Sequence, residues 1–166
     1  MKNIILVGFM GTGKTAVGKA LARRLKMKFV DMDDLIEERE GMKIPDIFAS
    51  KGEPYFRGVE KEAARGLCAQ SGLVVAAGGG VVIDEENVKN LKSSGVMVCL
   101  TATADKIFER TKAHTHRPLL NVTDPKEEIS ELLAKRAEYY ARADYMIDTS
   151  ELSIDEVVKK ITEIAK

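Results

Sequence analysis

The chain has 166 residues, enough for one domain with a substantial hydrophobic core. Basic and acidic residues number 26 each, so the net charge is zero and no overall field draws the protein to nucleic acid or anionic membrane. We therefore expect no nucleic-acid partner, and no membrane association because no apolar stretch approaches roughly 18 residues. Cys68 and Cys99 are far apart and lack zinc-ligand spacing, which favours reduced core thiols in a cytoplasmic chain.

The first predicted element is a buried strand at residues 4–7, which leads into the sequence GFMGTGKT at residues 8–15. This G-x-x-x-x-G-K-T pattern is typical of a phosphate loop. Its glycines let successive N–H groups point at phosphate oxygens, Lys14 reaches the β- and γ-phosphates, and the Thr15 hydroxyl can ligate Mg²⁺. Apolar residues at helical spacing follow, so a helix N-terminus faces the anion. The alternative is a glycine-rich turn that binds no nucleotide.

A short second strand at residues 28–31 ends at Asp31, and Asp33 is predicted to start a helix that runs to Glu40. Ligands of open α/β sheets lie beyond the carboxyl ends of the strands, so this pair of carboxylates can share a site with the phosphate loop. One carboxylate would help hold hydrated Mg²⁺, and the other would orient or deprotonate a substrate hydroxyl. The alternative for Asp33 is a plain helix N-cap.

Two helices are predicted next, at residues 44–50 and 54–70, with a proline in the first position of the second. Arg57 lies early in the second helix. It either pairs with Glu60, three residues further on, or binds a ligand. Both interpretations stay open on the sequence alone.

A continuous apolar block at residues 73–77 has the pattern of a strand covered on both faces. It ends in three glycines, Gly78, Gly79 and Gly80, which form either a flexible turn or a surface that a ligand can approach closely. No aspartate ends this strand, so the second metal-binding motif usual in P-loop proteins is missing. Asp31 is therefore the better metal candidate.

The remaining chain alternates helices with strands, which predicts a parallel sheet in a three-layer α/β sandwich. The predicted helices are 85–92, 104–112, 126–142 and a closing helix with residues 154, 157, 158, 161 and 164 inward, and the strands are 96–100 and 145–147. The segment between residues 112 and 125 lacks periodicity, and we interpret it as a mobile loop. A closing lid would bring its Arg117 onto the transferring phosphate, with His114 and His116 as exposed lid residues.

Arg136 is predicted to lie within an apolar helix stripe that contains Ile129, Leu132, Leu133 and Tyr140. A guanidinium in such a position needs an anionic partner. That partner is either an internal carboxylate or a carboxylate or phosphate of a ligand.

Together these motifs resemble the shikimate kinase family, in order and in spacing, over nearly the whole chain. The matching motifs are GFMGTGKT, the DMD of residues 31–33, the FR of residues 56–57, the glycine run, the RPLL that begins at Arg117 and the KRAEYY that contains Arg136. The resemblance implies a P-loop NTPase fold of the nucleoside-monophosphate-kinase type, an α/β/α sandwich with a five-stranded parallel sheet in the order 2-3-1-4-5. It implies a single kinase domain at 1–166, with a shikimate-binding region at about 33–61 and a lid loop at about 112–124.

The resemblance also implies an activity, transfer of the γ-phosphoryl group of ATP to the 3-hydroxyl of shikimate, on the pathway to chorismate and the aromatic amino acids. The expected partners are ATP and shikimate, the cofactor is Mg²⁺ and the protein is expected to be a cytoplasmic monomer. The residues implied for ATP are Gly11, Thr12, Gly13, Lys14, Thr15, Ala16, Arg110 and Arg117, and those for the metal are Thr15 and Asp31. Those implied for shikimate are Asp33, Phe48, Phe56, Arg57, Glu60, Gly78, Gly79, Gly80 and Arg136, with Ile44 in the apolar wall. Lys14, Asp33 and Arg117 are the implied catalytic residues.

One stretch departs from the family pattern. Some relatives carry basic residues and a proline in the loop before the last helix, which packs on adenine, whereas this chain has SELSI at residues 150–154. The adenine contacts of that loop therefore stay open. Two other functions compete with the one implied: another small-metabolite kinase of the same fold, such as gluconate kinase, and a nucleotide-binding regulatory module without catalysis.

Overall fold

A computed structural model describes residues 1–112 and 123–166 of the chain. Within these residues five parallel strands form one sheet in the spatial order β2-β3-β1-β4-β5. The strands are β1 (Asn3–Val7), β2 (Lys28–Asp31), β3 (Leu73–Ala76), β4 (Gly95–Thr101) and β5 (Tyr145–Asp148). This is the predicted order, and it brings the ends of β2 and β3 to the same side of the phosphate loop.

Helices connect the strands, and a short 3₁₀ turn at Val81–Ile83 follows the glycine run. The helices are α1 (Lys14–Leu25), α2 (Met32–Glu40), α3 (Ile44–Lys51), α4 (Glu53–Cys68), α5 (Glu85–Ser94), α6 (Ala104–Thr111), α7 (Pro125–Tyr140) and α8 (Ile154–Ile164). The predicted elements are all present, with ends that shift by one or two residues. No helix in the described ranges combines the length and apolar character that a membrane crossing needs.

The sheet separates two hydrophobic clusters, which confirms the predicted three layers. Alternate residues of β1 point to opposite faces: Ile5 and Val7 join one cluster, and Ile4 and Leu6 join the other. The first cluster includes side chains of α2, α4, α5, α6 and α7, and the second is built with α1 and α8. The carboxyl edge of the sheet is left for the connecting loops.

One predicted core position is wrong. Ile154 is 47% exposed, although the periodic pattern placed it inward. Ser153 caps the N-terminus of α8, with its side chain and that of Glu156 forming a capping box, so Ile154 is the first residue of the helix. The buried stripe begins only at Val157, one turn later.

Candidate active site

The turn between β1 and α1 has the conformation expected of a phosphate loop. Gly8, Gly11 and Gly13 have φ angles of 139°, 78° and 100°, which residues with a side chain rarely adopt. Lys14 is the first residue of α1, and its Nζ donates hydrogen bonds to the carbonyl oxygens of Gly8 at 2.6 Å and Phe9 at 2.9 Å. The ammonium group therefore lies over the loop that would carry the phosphates.

A buried threonine after β5 ties the phosphate loop to the neighbouring strand ends. Thr149 is 3% exposed, and its Oγ1 lies 3.0 Å from the carbonyl oxygens of both Thr12 and Thr101. Arg110 Nη1 donates to Gly11 O at 3.2 Å and to Thr149 Oγ1 at 3.1 Å, and its Nη2 donates to Thr149 O at 2.9 Å. Arg110 was predicted to line the adenine pocket. In the structure its guanidinium links the phosphate loop at Gly11 to Thr149.

The predicted ATP-binding residues next to Lys14 differ in what their side chains can offer. The Thr12 hydroxyl is buried and donates to Phe9 O at 2.8 Å, so only the main chain of Thr12 is available to a phosphate. Thr15 and Ala16 are exposed at the start of α1. The loop therefore presents mainly N–H groups, the Lys14 ammonium and the Thr15 hydroxyl.

Asp31 joins the phosphate loop to α2. Its Oδ1 accepts hydrogen bonds from the N–H groups of Asp33 at 2.9 Å and Asp34 at 3.2 Å, and its Oδ2 accepts one from Thr15 Oγ1 at 3.1 Å. Asp31 is therefore the N-cap of α2, and the alternative in which Asp33 is the cap is wrong. A hydroxyl and a carboxylate side by side are hard oxygen ligands of the kind that suits Mg²⁺.

Because Asp31 caps α2, the Asp33 carboxyl group is not needed as the cap. Asp33 is half-buried beside the phosphate loop. Burial first, and then the nearby Asp31 carboxylate, raise the pKa of Asp33 to about 6, against the opposing effect of Lys14. A carboxyl group with a pKa close to neutrality exchanges protons readily at physiological pH.

The glycine run is the point where the predicted substrate residues meet. A methyl group added at Gly78 would lie 3.0 Å from Asp33 Oδ1, and one at Gly79 would lie 3.4 Å from Arg136 Nη1. At Gly80 it would lie 2.5 Å from Arg57 Nη1. Three side chains, one each from α2, α4 and α7, thus surround the backbone of the glycine run. They lie so close that a side chain on any of the three glycines would contact them.

Arg57 makes the local ion pair with Glu60, one of the two interpretations that the sequence left open. Its Nη1 lies 3.0 Å from Glu60 Oε1, and its Nε lies 3.4 Å from Glu53 Oε1. Glu60 is 2% exposed, and burial raises its pKa although the Arg57 guanidinium opposes the shift. Glu60 therefore holds Arg57 in place, and the rest of the Arg57 fork faces Gly80.

Arg136 is half-buried, and its guanidinium carbon lies 5.7 Å from the centre of the Phe9 ring. Among residues 1–112 and 123–166 no carboxylate oxygen lies within 4.0 Å of its guanidinium. Of the two partners that the sequence left open, this favours a ligand anion over an internal one.

The two phenylalanines predicted for the substrate pocket pack on each other beside Arg57. The rings of Phe48 and Phe56 lie 4.7 Å apart, with Phe56 buried and Phe48 36% exposed. The predicted lid residues Arg117, His114 and His116 lie outside the described residues, as does most of the segment 112–124.

Two residues that contact the site were not among those predicted for it. Thr149 belongs to no recognised motif. Its position directly after a strand, at the carboxyl edge of the sheet, is the sequence feature that could have identified it. Tyr140 was assigned only to the apolar stripe of α7, yet its hydroxyl donates a hydrogen bond to Gly79 O at 2.9 Å.

The sheet order, the phosphate loop and the cluster of arginines define a class, that of P-loop phosphotransferases acting on a small anionic molecule. Residues 10–166 match the family model described as shikimate kinase. The chain belongs to the shikimate kinase family, and it is an ATP-dependent kinase.

Relatives of known name agree with this assignment over almost their whole length. Shikimate kinase of Thermodesulfovibrio yellowstonii is 51% identical over 161 residues, covering 97% of this chain and 93% of the relative. That of Geobacter metallireducens is 46% identical, covering 98% and 90%. The structure of Acinetobacter baumannii shikimate kinase in complex with shikimate has a TM-score of 0.93 and 37% identity, covering 99% of this chain and 92% of that one.

Proposed function

We propose that this chain transfers the γ-phosphoryl group of ATP to the 3-hydroxyl of shikimate, with Asp33 at the acceptor hydroxyl and two arginines at the substrate carboxylate. The observation that carries the proposal is the meeting of Asp33, Arg57 and Arg136 around the glycine run, beside the loop that bears Lys14. A base at Gly78 and two guanidinium groups at Gly79 and Gly80 match a substrate with a hydroxyl at one end and a carboxylate at the other.

In the proposed reaction Asp33 accepts the proton of the substrate hydroxyl as its oxygen forms a bond to the γ-phosphorus. The bond from that phosphorus to the bridging oxygen of ADP breaks, and ADP leaves with the electron pair. Lys14 and the N–H groups of the phosphate loop stabilise the charge that shifts toward the bridging and terminal oxygens. The pKa of about 6 makes Asp33 an anion at neutral pH that is still basic enough to take the proton.

Thr15 and Asp31 are the residues proposed to hold Mg²⁺, because their oxygens already lie 3.1 Å apart at the loop. A bound Mg²⁺ ion would neutralise charge on the β- and γ-phosphates. One carboxylate and one hydroxyl leave the other coordination positions to phosphate oxygens and water, which is how Mg²⁺ is usually held in kinases.

ADP formation with and without shikimate tests the proposal. Purified protein is assayed with ATP and Mg²⁺ plus shikimate, gluconate or a nucleoside monophosphate in turn, and again with excess chelator. We expect ADP to form rapidly only with shikimate and only when Mg²⁺ is present. Turnover with gluconate instead would identify the competing kinase, and ATP binding without turnover would identify the regulatory module.

Replacing Arg136 by alanine should reduce kcat/KM for shikimate by on the order of 10²-fold or more, because hydrogen bonds to a charged group are worth about 1.5–3 kcal/mol each. Arg136→Lys should recover only part of this, since an ammonium group cannot reproduce the paired bonds of a guanidinium to a carboxylate. Steady-state kinetics of both variants measure the effect. Lys135→Ala, an exposed cation on the same helix, is the control and should behave as wild type.

Thermal denaturation of the same Arg136→Ala protein separates a ligand contact from a structural one. A protein that has lost only a ligand contact keeps its melting temperature without shikimate and loses the stabilisation that shikimate gives the wild type. A variant that melts several degrees lower without ligand and still binds shikimate normally would contradict the carboxylate assignment.

Thr149→Val should raise the KM for ATP by roughly 5-fold, because the near-isosteric change removes the buried hydroxyl that holds Thr12 and Arg110 against the strand ends. The KM for shikimate should change little. The control is Thr162→Val, which removes a partly buried hydroxyl from α8, away from the phosphate loop. An unchanged KM for ATP in Thr149→Val would show that the loop needs no such support.

We also propose that the described ranges belong to one kinase domain, with acceptor recognition concentrated in residues 33–61. A monomer with reduced thiols in the cytoplasm fits the free Cys68 and Cys99, and burial raises the thiol pKa of both. Analytical ultracentrifugation checks the oligomeric state. The assignment of 112–124 as a lid stays a prediction.

A further inference from the structure

The three peptide carbonyls of the glycine run are all held inside the protein. Gly78 O accepts a hydrogen bond from Val81 N at 3.2 Å, and Gly80 O accepts one from Ile83 N at 3.2 Å. Gly79 O lies between them and has no such partner in the 3₁₀ turn. It accepts its hydrogen bond from the hydroxyl of Tyr140 at 2.9 Å.

The N–H groups of the same three glycines, unlike their carbonyl groups, have no hydrogen-bond partner among the described residues. Within the described ranges, no hydrogen bond runs from the N–H groups of Gly78, Gly79 or Gly80 to another residue. A backbone whose acceptors are all used and whose donors have no partner among the described residues is suited to bind an anion.

The unit between Gly79 and Gly80 is a trans peptide, so its C=O and N–H point in opposite directions. By holding the carbonyl of Gly79, the Tyr140 hydroxyl fixes the Gly80 N–H on the side away from itself. A peptide flanked by two glycines rotates more easily than any other, because neither neighbour has a Cβ to resist the turn. The hydrogen bond from Tyr140 is therefore the restraint that decides whether this peptide offers a donor or an acceptor to the site.

This peptide also lies between the two arginines. The Cβ position of Gly79 is 3.4 Å from Arg136 Nη1, and that of Gly80 is 2.5 Å from Arg57 Nη1. An anion bound by both guanidinium groups would also be next to the Gly80 N–H. A flipped peptide would instead present a carbonyl oxygen and repel that anion.

Tyr140 is well suited to a fixed role of this kind. Tyr140 is 4% exposed, and burial raises the pKa of its hydroxyl, an effect that the adjacent Arg136 guanidinium opposes, so it remains a hydrogen-bond donor throughout the working pH range. Arg142, just beyond the end of α7, donates from Nη1 to the carbonyl oxygens of Val82 at 2.9 Å and Ile83 at 3.3 Å. The C-terminal end of α7 thus holds the glycine run and the 3₁₀ turn together.

We infer that Tyr140 is a positioning residue that presets the Gly79–Gly80 peptide to receive the carboxylate of the acceptor substrate alongside Arg57 and Arg136. The inference rests on the function proposed above. It assigns to Tyr140 no contact with ATP and no contact with the reacting hydroxyl, which lies at the Asp33 end of the site.

The test is Tyr140→Phe, which keeps the ring and removes the hydroxyl that donates to Gly79 O and lies against the Arg136 guanidinium. Loss of one neutral hydrogen bond should raise the KM and the Kd for shikimate by roughly 3- to 10-fold. The kcat and the KM for ATP should stay within about 2-fold of wild type, since a contact made equally in the ground and transition states affects KM alone. Tyr139→Phe, the same chemical change one residue away, is the control and should leave all three values unchanged.

Steady-state kinetics well below each melting temperature give these values. Calorimetric titration with shikimate in the cold gives the same comparison if Tyr140→Phe melts too low for turnover. A Tyr140→Phe enzyme that melts lower but keeps the wild-type KM and Kd for shikimate would overturn the inference and leave the proposed function intact. Wild-type protein that does not phosphorylate shikimate would overturn both.

Discussion

Lys14→Ala is expected to reduce kcat by on the order of 10³-fold or more while the protein stays folded. The ammonium group lies at the phosphate loop, where bound ATP would replace its hydrogen bonds to Gly8 O and Phe9 O by stronger, charge-assisted ones to phosphate. Because charge moves onto the oxygens that it contacts during transfer, the interaction is worth more in the transition state than in the ground state.

Rapid-quench or coupled measurements of ADP formation give kcat, and circular dichroism with thermal melting reports the fold. Lys19→Ala removes the same charge from an exposed position on α1 and is expected to retain wild-type activity. Turnover close to wild type in Lys14→Ala would contradict the phosphate-loop assignment, since no other residue of the loop can replace a mobile cation.

Asp33→Asn should lower kcat by on the order of 10²–10⁴-fold, the usual contribution of a general base, and leave the Kd of ATP nearly unchanged. The amide keeps the size of the side chain, and Asp31 rather than Asp33 caps the helix, so α2 should remain in place. Asp34→Asn, an exposed neighbour in the same helical turn, is the control. A kcat near wild type in Asp33→Asn would rule out the proposed base.

The same variant should be more stable than wild type above pH 6. Folding raises the pKa of Asp33 from 3.8 to about 6, so the folded state keeps a proton that the unfolded state releases, and stability falls as pH rises between these values. Asparagine does not ionise, so the stability of the Asp33→Asn variant does not fall in this way as pH rises. After allowance for partial exposure and for the lost interaction of a carboxylate with the helix N-terminus, the gain is on the order of 1–2 kcal/mol, or a few degrees in Tm.

Melting curves of Asp33→Asn and wild type at several pH values without ligand check this. The difference in Tm should be present at pH 7–8, shrink as the pH falls through the folded-state pKa of about 6, and disappear only well below the unfolded-state pKa of 3.8, where both states of the wild type carry the proton. A variant that melts below wild type at neutral pH would mean that Asp33 makes a stabilising contact in the folded protein.

Local sequence patterns predicted the strands and the phosphate loop and offered the Arg57–Glu60 pair as one of two alternatives, because each depends on residues close together in the chain. The sheet order came only through the family resemblance, since periodicity does not say which strands are neighbours. The apolar stripe placed Arg136 on the inner side of α7, where it lies half-buried beside the glycine run. By contrast, the sequence offered only Asp33 as a possible cap of α2, whereas the cap is Asp31, because aspartate suits the position in either place and only the backbone geometry decides.

Thr149 and Tyr140 escaped prediction for a different reason. Their partners are backbone carbonyls at Thr12 and Gly79, far away in sequence, and a backbone acceptor leaves no mark in the amino-acid sequence. A buried hydroxyl on an otherwise apolar element is the remaining signal. A buried hydroxyl indicates that the residue has a hydrogen-bond partner, but it does not identify that partner.

The placement of Arg136 and Tyr140 on α7 has a consequence for engineering. Residues 33–61 carry Asp33, Arg57 and Glu60 as a continuous segment between β2 and β3, and it is tempting to treat that segment as a transferable specificity module. The proposed anion-binding side of the pocket, however, includes Arg136 of α7, about eighty residues further along the chain. A chimera that receives only the segment would acquire the base without the full clamp, so redesign of acceptor choice on this scaffold has to exchange α7 and the glycine run as well.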